Sequence, residues 1–308
     1  MQPKFLELYV KAVLNAKDRP PQALAESFQP LFLHIEHEDF KELLFPSSIK
    51  MLKRNPEIVL ESTADLLSYV NLDLSKYAFE IFSVVLPQVR HLDEGRRNKA
   101  LAILGHLSRK SSDPDILPSM FNAIQDIIRG SEGKLALPYQ RVGMVNALEE
   151  LSMAQGGKNL NKLSPAVSTF LLSCYKGEGS DEVKLAILSA LGSWASKTAD
   201  TVQPDLISFF SAGLKDKEIL RKGHLRCLQV ICKNFESSTK VVPLLDPVIQ
   251  IVKAGFTKAS QKLDGIYALF SVAKIASADT KAEEIVLKER IWQLLAQNES
   301  SLIPIPQV

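Results

Sequence analysis

The sequence predicts an all-α protein in which antiparallel helix pairs stack one upon the next. Three observations lead there. Apolar residues recur at a helical spacing of three and four along nearly the whole chain. Breaks marked by proline, glycine or charge interrupt that pattern at regular intervals. No run of alternating Val, Ile or Thr bounded by Asn-Gly or Asp-Gly turns competes with it.

Residues 40–70, FKELLFPSSIKMLKRNPEIVLESTADLLSYV, show one whole pair: a helical pattern, a charged break at Asn55-Pro56, then a second helical pattern. Pro56 suits the first turn of the second helix, where its missing N–H costs little. The same arrangement returns over 76–110, 163–197, 205–234 and 242–276. First helices are predicted to begin near residues 2, 38, 75, 114, 162, 203 and 240, in steps of about 36–41 residues with one step of about 48. A final helix over 282–297 supplies half of an eighth unit. Neither helix of such a pair buries its apolar stripe alone, so each pair needs its neighbours to complete a core.

Several first helices carry a proline well inside the pattern: Pro46, Pro87, Pro118, Pro165 and Pro247. An interior proline removes one hydrogen bond and bends a helix, so its recurrence predicts a built-in bend. These periods and prolines resemble HEAT repeats, as do the basic residues opening the second helices (Arg96, Arg97, Lys184, Arg221, Lys262). The resemblance implies a right-handed α-solenoid of seven to eight pairs, with those basic residues bonding across to a neighbouring repeat. The reading is one continuous solenoid over residues 1–308. The chain opens directly in helical sequence and ends on LIPIPQV, so it is expected to be a piece of something longer.

Composition narrows the function. Hydrophobic residues make up 46% and charged residues 23%, ordinary for a folded protein, and a net charge of +2 gives no strong overall pull toward nucleic acid or membrane. Residues 1–80 carry 9 Lys/Arg against 12 Asp/Glu, so the positive excess lies further along. Cys174, Cys227 and Cys232 lie in apolar helical segments without C-x-x-C spacing. That predicts buried free thiols rather than disulfides or a zinc site, and suits a reducing cytoplasm. No apolar run approaches the roughly 18 residues of a membrane span, and no signal peptide is visible.

Three stretches invite a chemical reading. RGSEGKL (129–135) looks like part of a phosphate loop, but two residues separate Gly130 and Gly133 where that loop has four. Leu135 replaces the hydroxyl that would hold Mg²⁺, and a helix, not a strand, precedes the loop. Gly130 is instead expected to end a helix as its C′ glycine. His34, Glu36, His37 and Glu38 lack the H-E-x-x-H metal pattern. His224 and Cys227 share a helix without an orienting acid or an oxyanion donor. No catalytic, cofactor or metal site is therefore expected.

Binding is the remaining role, and solenoids bind at their ridges of turns and concave faces. Lys and Arg gather near the turns inside the pairs, and the candidate contact residues are Arg96, Arg97, Lys134, Lys217, Arg221, Lys222, Lys258 and Lys262. Lined along one edge, they would meet RNA phosphate or an acidic protein surface with a salt-dependent affinity. Bonds between repeats account for part of the same excess. Interleaved aromatic platforms are missing apart from Phe256, so sequence-specific recognition of single strands or DNA is not predicted.

Four local strings add a more specific resemblance: DFKELLFP (39–46), RNPEIVLES (54–62), LDLSKYA (72–78) and GSEGKLALPYQRVGMVNAL (130–148). They resemble the N-terminal HEAT region of the translational activators of general amino-acid control. The resemblance implies a cytosolic, non-catalytic scaffold that binds translating and collided ribosomes. It also implies a role in promoting phosphorylation of initiation factor two alpha during amino-acid starvation. Contacts with the kinase and with an ATP-binding-cassette partner belong to parts of that family not matched here. The alternative is a general protein-binding HEAT adaptor of the transport-receptor or phosphatase-scaffold type, working through its concave face.

Overall fold

The computed structural model describes residues 2–155, 157–197, 204–234, 242–258, 261–276, 283–286, 289 and 291–297. Its contacts gather into two units, Met1–Leu163 and Ser164–Val308. The described residues are helices and their connections, with no strand among them.

Unit one opens with α1 (Gln2–Tyr9), which runs into a π turn at Val10–Leu14 and the short helices α2 (Gln22–Glu26) and α3 (Gln29–Phe32). Three fuller pairs follow. The first joins α4 (His37–Asp39), a π turn (Phe40–Leu44) and α5 (Phe45–Arg54) to α6 (Pro56–Tyr69). The second joins α7 (Ser75–Val85) and a 3-10 segment (Leu86–Arg90) to α8 (Glu94–Lys110), and the third joins α9 (Ile116–Ile128) to α10 (Pro138–Leu151). The first helices α5, α7 and α9 pack in succession, and the second helices α6, α8 and α10 form a parallel layer beside them. The apolar spacing dictates this: α8 buries Ala100, Ile103, Leu104 and Leu107, and α10 buries Met144, Ala147, Leu148 and Leu151.

Polar bonds hold successive pairs in register. Lys110, at the end of α8, donates its ammonium to the carbonyls of Ser68 and Val70, satisfying acceptors that the end of α6 leaves open. In the neighbouring loops the Asp73 carboxylate accepts from the Ser75 and Ser112 hydroxyls at 2.6 and 2.5 Å. Although partial burial opposes it, these bonds and the two backbone N–H groups hold the Asp73 pKa down to about 2. Gly143 lets α10 approach closest: a Cβ there would lie 1.7 Å from the Val89 carbonyl oxygen of the 3-10 segment.

Unit two begins at Ser164, within α11 (Gly157–Gly177). It continues through α12 (Asp181–Lys197), α13 (Pro204–Gly213), α14 (Glu218–Asn234), α15 (Leu245–Thr257) and α16 (Lys262–Ala276). The second helices α12, α14 and α16 pack in order, while α13 lies on α14 and α15 on α16. Trp194 is fully buried in α12. Of the predicted last helix, residues 283–286 and Ile291–Gln297 are helical.

The prolines meet the sequence expectation only in part. Of the five, Pro165 lies in the interior of an α-helix and Pro46 within an unbroken helical stretch over 37–54. Pro46 comes two residues after the end of a π turn, Pro87 is the second residue of the 3-10 segment, and Pro118 and Pro247 sit in the first turns of α9 and α15. Proline has no N–H for the carbonyl four residues back and its ring crowds that carbonyl. At Pro46 and Pro87 the chain answers with a change of helix type.

Candidate functional site

The stretch RGSEGKL is a helix end. Gly130 has φ of +100°, Ser131 N–H donates to Asp126 O at 3.0 Å, and Gly130 N–H donates to Ile127 O at 3.0 Å. These are the two bonds of a Schellman cap, as the C′ glycine predicted. Gly133 also has positive φ, at +93°, and Leu135 turns inward to be buried. Lys134 remains exposed at the tip.

The basic residues at the turn before α8 and along its first half have work within the chain. Arg90 pairs with Glu132 at 2.7 Å, tying the turn of one pair to the next. Arg96 pairs with Glu57 of the preceding pair at 3.6 Å and donates to the Gln88 side chain at 2.7 Å. Arg97 donates to the carbonyls of His91 and Leu92, and its guanidinium lies 5.6 Å from the Tyr139 ring centre. Lys99 pairs with Glu61 at 2.7 Å, and the Lys99 bond is the main cause that holds the Glu61 carboxyl below its ordinary range.

Unit two repeats the pattern at the start of α14. Lys217 reaches Asp181 at 2.6 Å, Lys222 pairs with Glu218 at 2.7 Å, and Arg221 faces Asp264 of α16 at 3.6 Å. Asp264 is 1% exposed, and burial pushes its carboxyl up despite Lys222 and Arg221. Lys258 is exposed at the end of α15 and Lys262 half-buried at the start of α16. Five of the eight predicted contact residues (Arg96, Arg97, Lys217, Arg221 and Lys222) thus have partners inside their own unit. Of the basic residues that the HEAT resemblance names, Arg96 and Arg221 pair across to a neighbouring repeat, whereas Arg97 donates to carbonyls of its own turn; Lys217, outside that set, also reaches a neighbouring pair.

The other chemical candidates resolve simply. His37 Nδ1 lies 3.3 Å from the Tyr77 hydroxyl. Among the described residues no group of three or more His, Cys, Asp or Glu side chains is placed to hold a metal. Cys227 is buried as expected, Cys174 is only half-buried, against the expectation of burial, and the Cys232 side chain lies outside the described residues. The side chain of Phe256 lies outside them as well. No described helix is long and apolar enough to cross a membrane.

Sequence reasoning missed a cavity of about 690 Å³ between α11 and α13 in unit two. Its lining includes Tyr175, Lys184, Phe209, Gly213, Asp216 and His224. His224 is 1% exposed; its Nε2 lies 3.0 Å from the Tyr175 hydroxyl, and its Nδ1 has no hydrogen-bond partner. Burial, reinforced by Lys184 and opposed by Asp216, lowers the His224 pKa to about 4, so the ring is neutral at pH 7. Burial, with Asp216 and Asp181 adding to it, pushes the Tyr175 phenol up to about 12.

Stacked helix pairs, salt bridges between successive pairs and exposed turn lysines define a helical-repeat protein. Comparison with known proteins places it further. Residues 2–135 match the family described as "Stalled ribosome sensor GCN1 N-terminal". The chain is 52% identical over 301 residues to Protein ILITYHIA of Arabidopsis thaliana, an alignment covering 98% of this chain and 11% of that protein. It is 26% identical over 305 residues to the human protein named Stalled ribosome sensor GCN1, and 27% over 304 residues to that of the mouse. Those alignments cover 97% and 96% of this chain and 11% of each relative. The chain is therefore related along nearly its whole length to these proteins, of which it spans about a tenth. The resemblance carried by the four local strings is borne out.

Proposed function

We propose that this chain is a ribosome-contacting segment of a stalled-ribosome sensor and has no catalysis of its own. The observation that carries the reading is the alignment of almost the entire chain with proteins two of which are named stalled ribosome sensors. In the complete protein its task is to help report stalled or collided ribosomes, so that initiation factor two alpha is phosphorylated in amino-acid starvation. Contacts with the kinase and with an ATP-binding-cassette partner fall to other regions. The reading puts the protein in the cytoplasm, where ribosomes translate.

The geometry redistributes the roles of the basic residues. Arg96, Arg97, Lys217, Arg221 and Lys222 spend their charge on ties within the chain, so reversing them tests stability as much as binding. Lys134 and Lys258 stand exposed at turns and are the better contact residues. Co-sedimentation with ribosomes over a salt series tests this. The chain is expected to pellet at low salt, and Lys134→Glu with Lys258→Glu to weaken pelleting and lower the salt slope by about one per lost phosphate contact. Absence of pelleting by the unaltered chain would refute ribosome contact by this segment; unchanged pelleting of the variant would remove the lysines from the interface.

A further inference from the structure

The turns ahead of α8 and α10 are built alike, and each carries an exposed leucine. Arg97, the fourth residue of α8, reaches back and donates from one guanidinium nitrogen to the carbonyls of His91 and Leu92, at 3.0 and 2.8 Å. Arg141, the fourth residue of α10, donates in the same register to the carbonyls of Leu135 and Ala136, both at 2.9 Å. Leu92 is 72% exposed, more than any other large apolar side chain described, and Leu137 is 48% exposed. The first pair lacks the device: the fourth residue of α6 is Val59, and the turn before it ends in Asn55.

The two turns are also tied to each other. Arg90 pairs with Glu132 at 2.7 Å, and the Arg97 guanidinium lies 5.6 Å from the ring centre of Tyr139, two residues after Leu137. The leucines therefore stand on one fixed ridge rather than on independent loops. A surface already held in its bound shape loses less freedom on binding than a loop that must first be ordered. One exposed leucine is ordinary, whereas a fixed pair on adjacent turns is an apolar contact surface.

What the ridge has left to offer selects the partner. Its guanidinium donors are spent: Arg90 on Glu132, Arg96 on Glu57 and Gln88, Arg97 and Arg141 on the carbonyls beneath them. Asp93 and Glu94 offset the charge that Arg97 keeps. Lys134 stands exposed at the margin. An RNA backbone would gain nothing from the leucines, which have no flat ring to stack on a base. An apolar protein surface gains by taking both side chains out of water.

We propose that Leu92 and Leu137 dock together on an apolar surface of a ribosomal protein, beside the contact made by Lys134. The proposal rests on the reading of the chain as a ribosome-contacting segment, and it names protein rather than rRNA as what the ridge meets.

The test uses the full chain in co-sedimentation with ribosomes. Leu92→Ser with Leu137→Ser is expected to weaken pelleting at least about tenfold, about 1.4 kcal/mol, and to keep the salt slope of the unaltered chain because no phosphate contact is lost. Leu92→Met with Leu137→Met keeps the apolar volume and is expected to pellet within about twofold of the unaltered chain. A diazirine amino acid in place of Leu92 or of Leu137 is expected to cross-link to ribosomal protein on irradiation of the pelleted complex. Both leucines are exposed, so the serine variant is expected to keep its circular dichroism and urea midpoint; should it lose them, the cross-links decide. Unchanged pelleting of the serine variant overturns the proposal and leaves the ribosome reading standing, whereas an unaltered chain that does not pellet overturns both. Cross-links to rRNA alone, or a lower salt slope in the serine variant, overturn protein as the partner.

Discussion

His224 is the residue whose titration works against the fold. Its ordinary pKa is 6.5 and in the folded protein it falls to about 4, mainly through burial, with Lys184 lowering it and Asp216 opposing. Between those values the unfolded chain takes up a proton that the folded chain does not hold. Stability is therefore at its full value above about pH 6.5 and declines as pH falls toward 4, by about 3 kcal/mol at the lower limit. His106 moves in the same direction, pushed down by burial, Arg109 and Lys110, also to about 4. Asp73, held at about 2, is ionised across this window and loses its contribution only at lower pH. Thermal melts at pH 7 and pH 4.5 are expected to show a clear drop, smaller in His224→Phe, which removes one titrating ring. An identical drop in that variant would show that His224 is not responsible. None of this was legible in the sequence, where His224 drew notice only for its spacing to Cys227. Its burial depends on Tyr175 and Phe209, which lie 49 and 15 positions before it and come together only when the pairs stack.

Elements were far easier to read than sites. The predicted starts of the first helices, near residues 2, 38, 75, 114 and 203, meet helices beginning at Gln2, His37, Ser75, Ile116 and Pro204. Local signals set those points: an apolar stripe, a polar break and a proline or acid at the first turn. The predicted start near 162 falls five residues late, because α11 already runs from Gly157, through the polar stretch before Leu163. The breaks at Pro46 and Pro87 were legible as prolines, but not the π and 3-10 turns beside them, because helix type depends on how each turn packs. The cap of α8 gives a sharp test at this scale. The Asp93 side chain accepts the Arg96 N–H at 2.6 Å, and the turn it closes also presents Arg96 and Arg97. Asp93→Ala is expected to cost about 1 kcal/mol, read as a lower urea midpoint, while Asp93→Asn, which keeps the cap, costs less. Equal losses in the two variants would mean that Asp93 acts through its charge rather than as a cap.

At the scale of the whole chain, stability should be distributed rather than shared. Helices pack on the partner within their own pair and on the pairs before and after it, so most stabilising contacts are short in sequence. Repeat proteins of this kind behave as sums of nearest-neighbour terms, and long arrays depart from all-or-none unfolding. The sequence supplies a means of seeing this, because both tryptophans, Trp194 and Trp292, fall in the second unit. Tryptophan fluorescence therefore reports on that unit alone, whereas circular dichroism reports on both. Gly143→Ala perturbs the first unit only: the added methyl would stand 1.7 Å from Val89 O, so α10 must back away from the 3-10 segment, a strain of about 1–3 kcal/mol. In urea the variant is expected to lose part of its helical signal at a lower concentration, with the tryptophan midpoint unchanged. If both signals move together by the same amount, the two units unfold as one cooperative body and the nearest-neighbour account fails. If they separate, a lesion in one unit leaves the other standing, and a binding surface in one unit can be tested by variants that weaken the other.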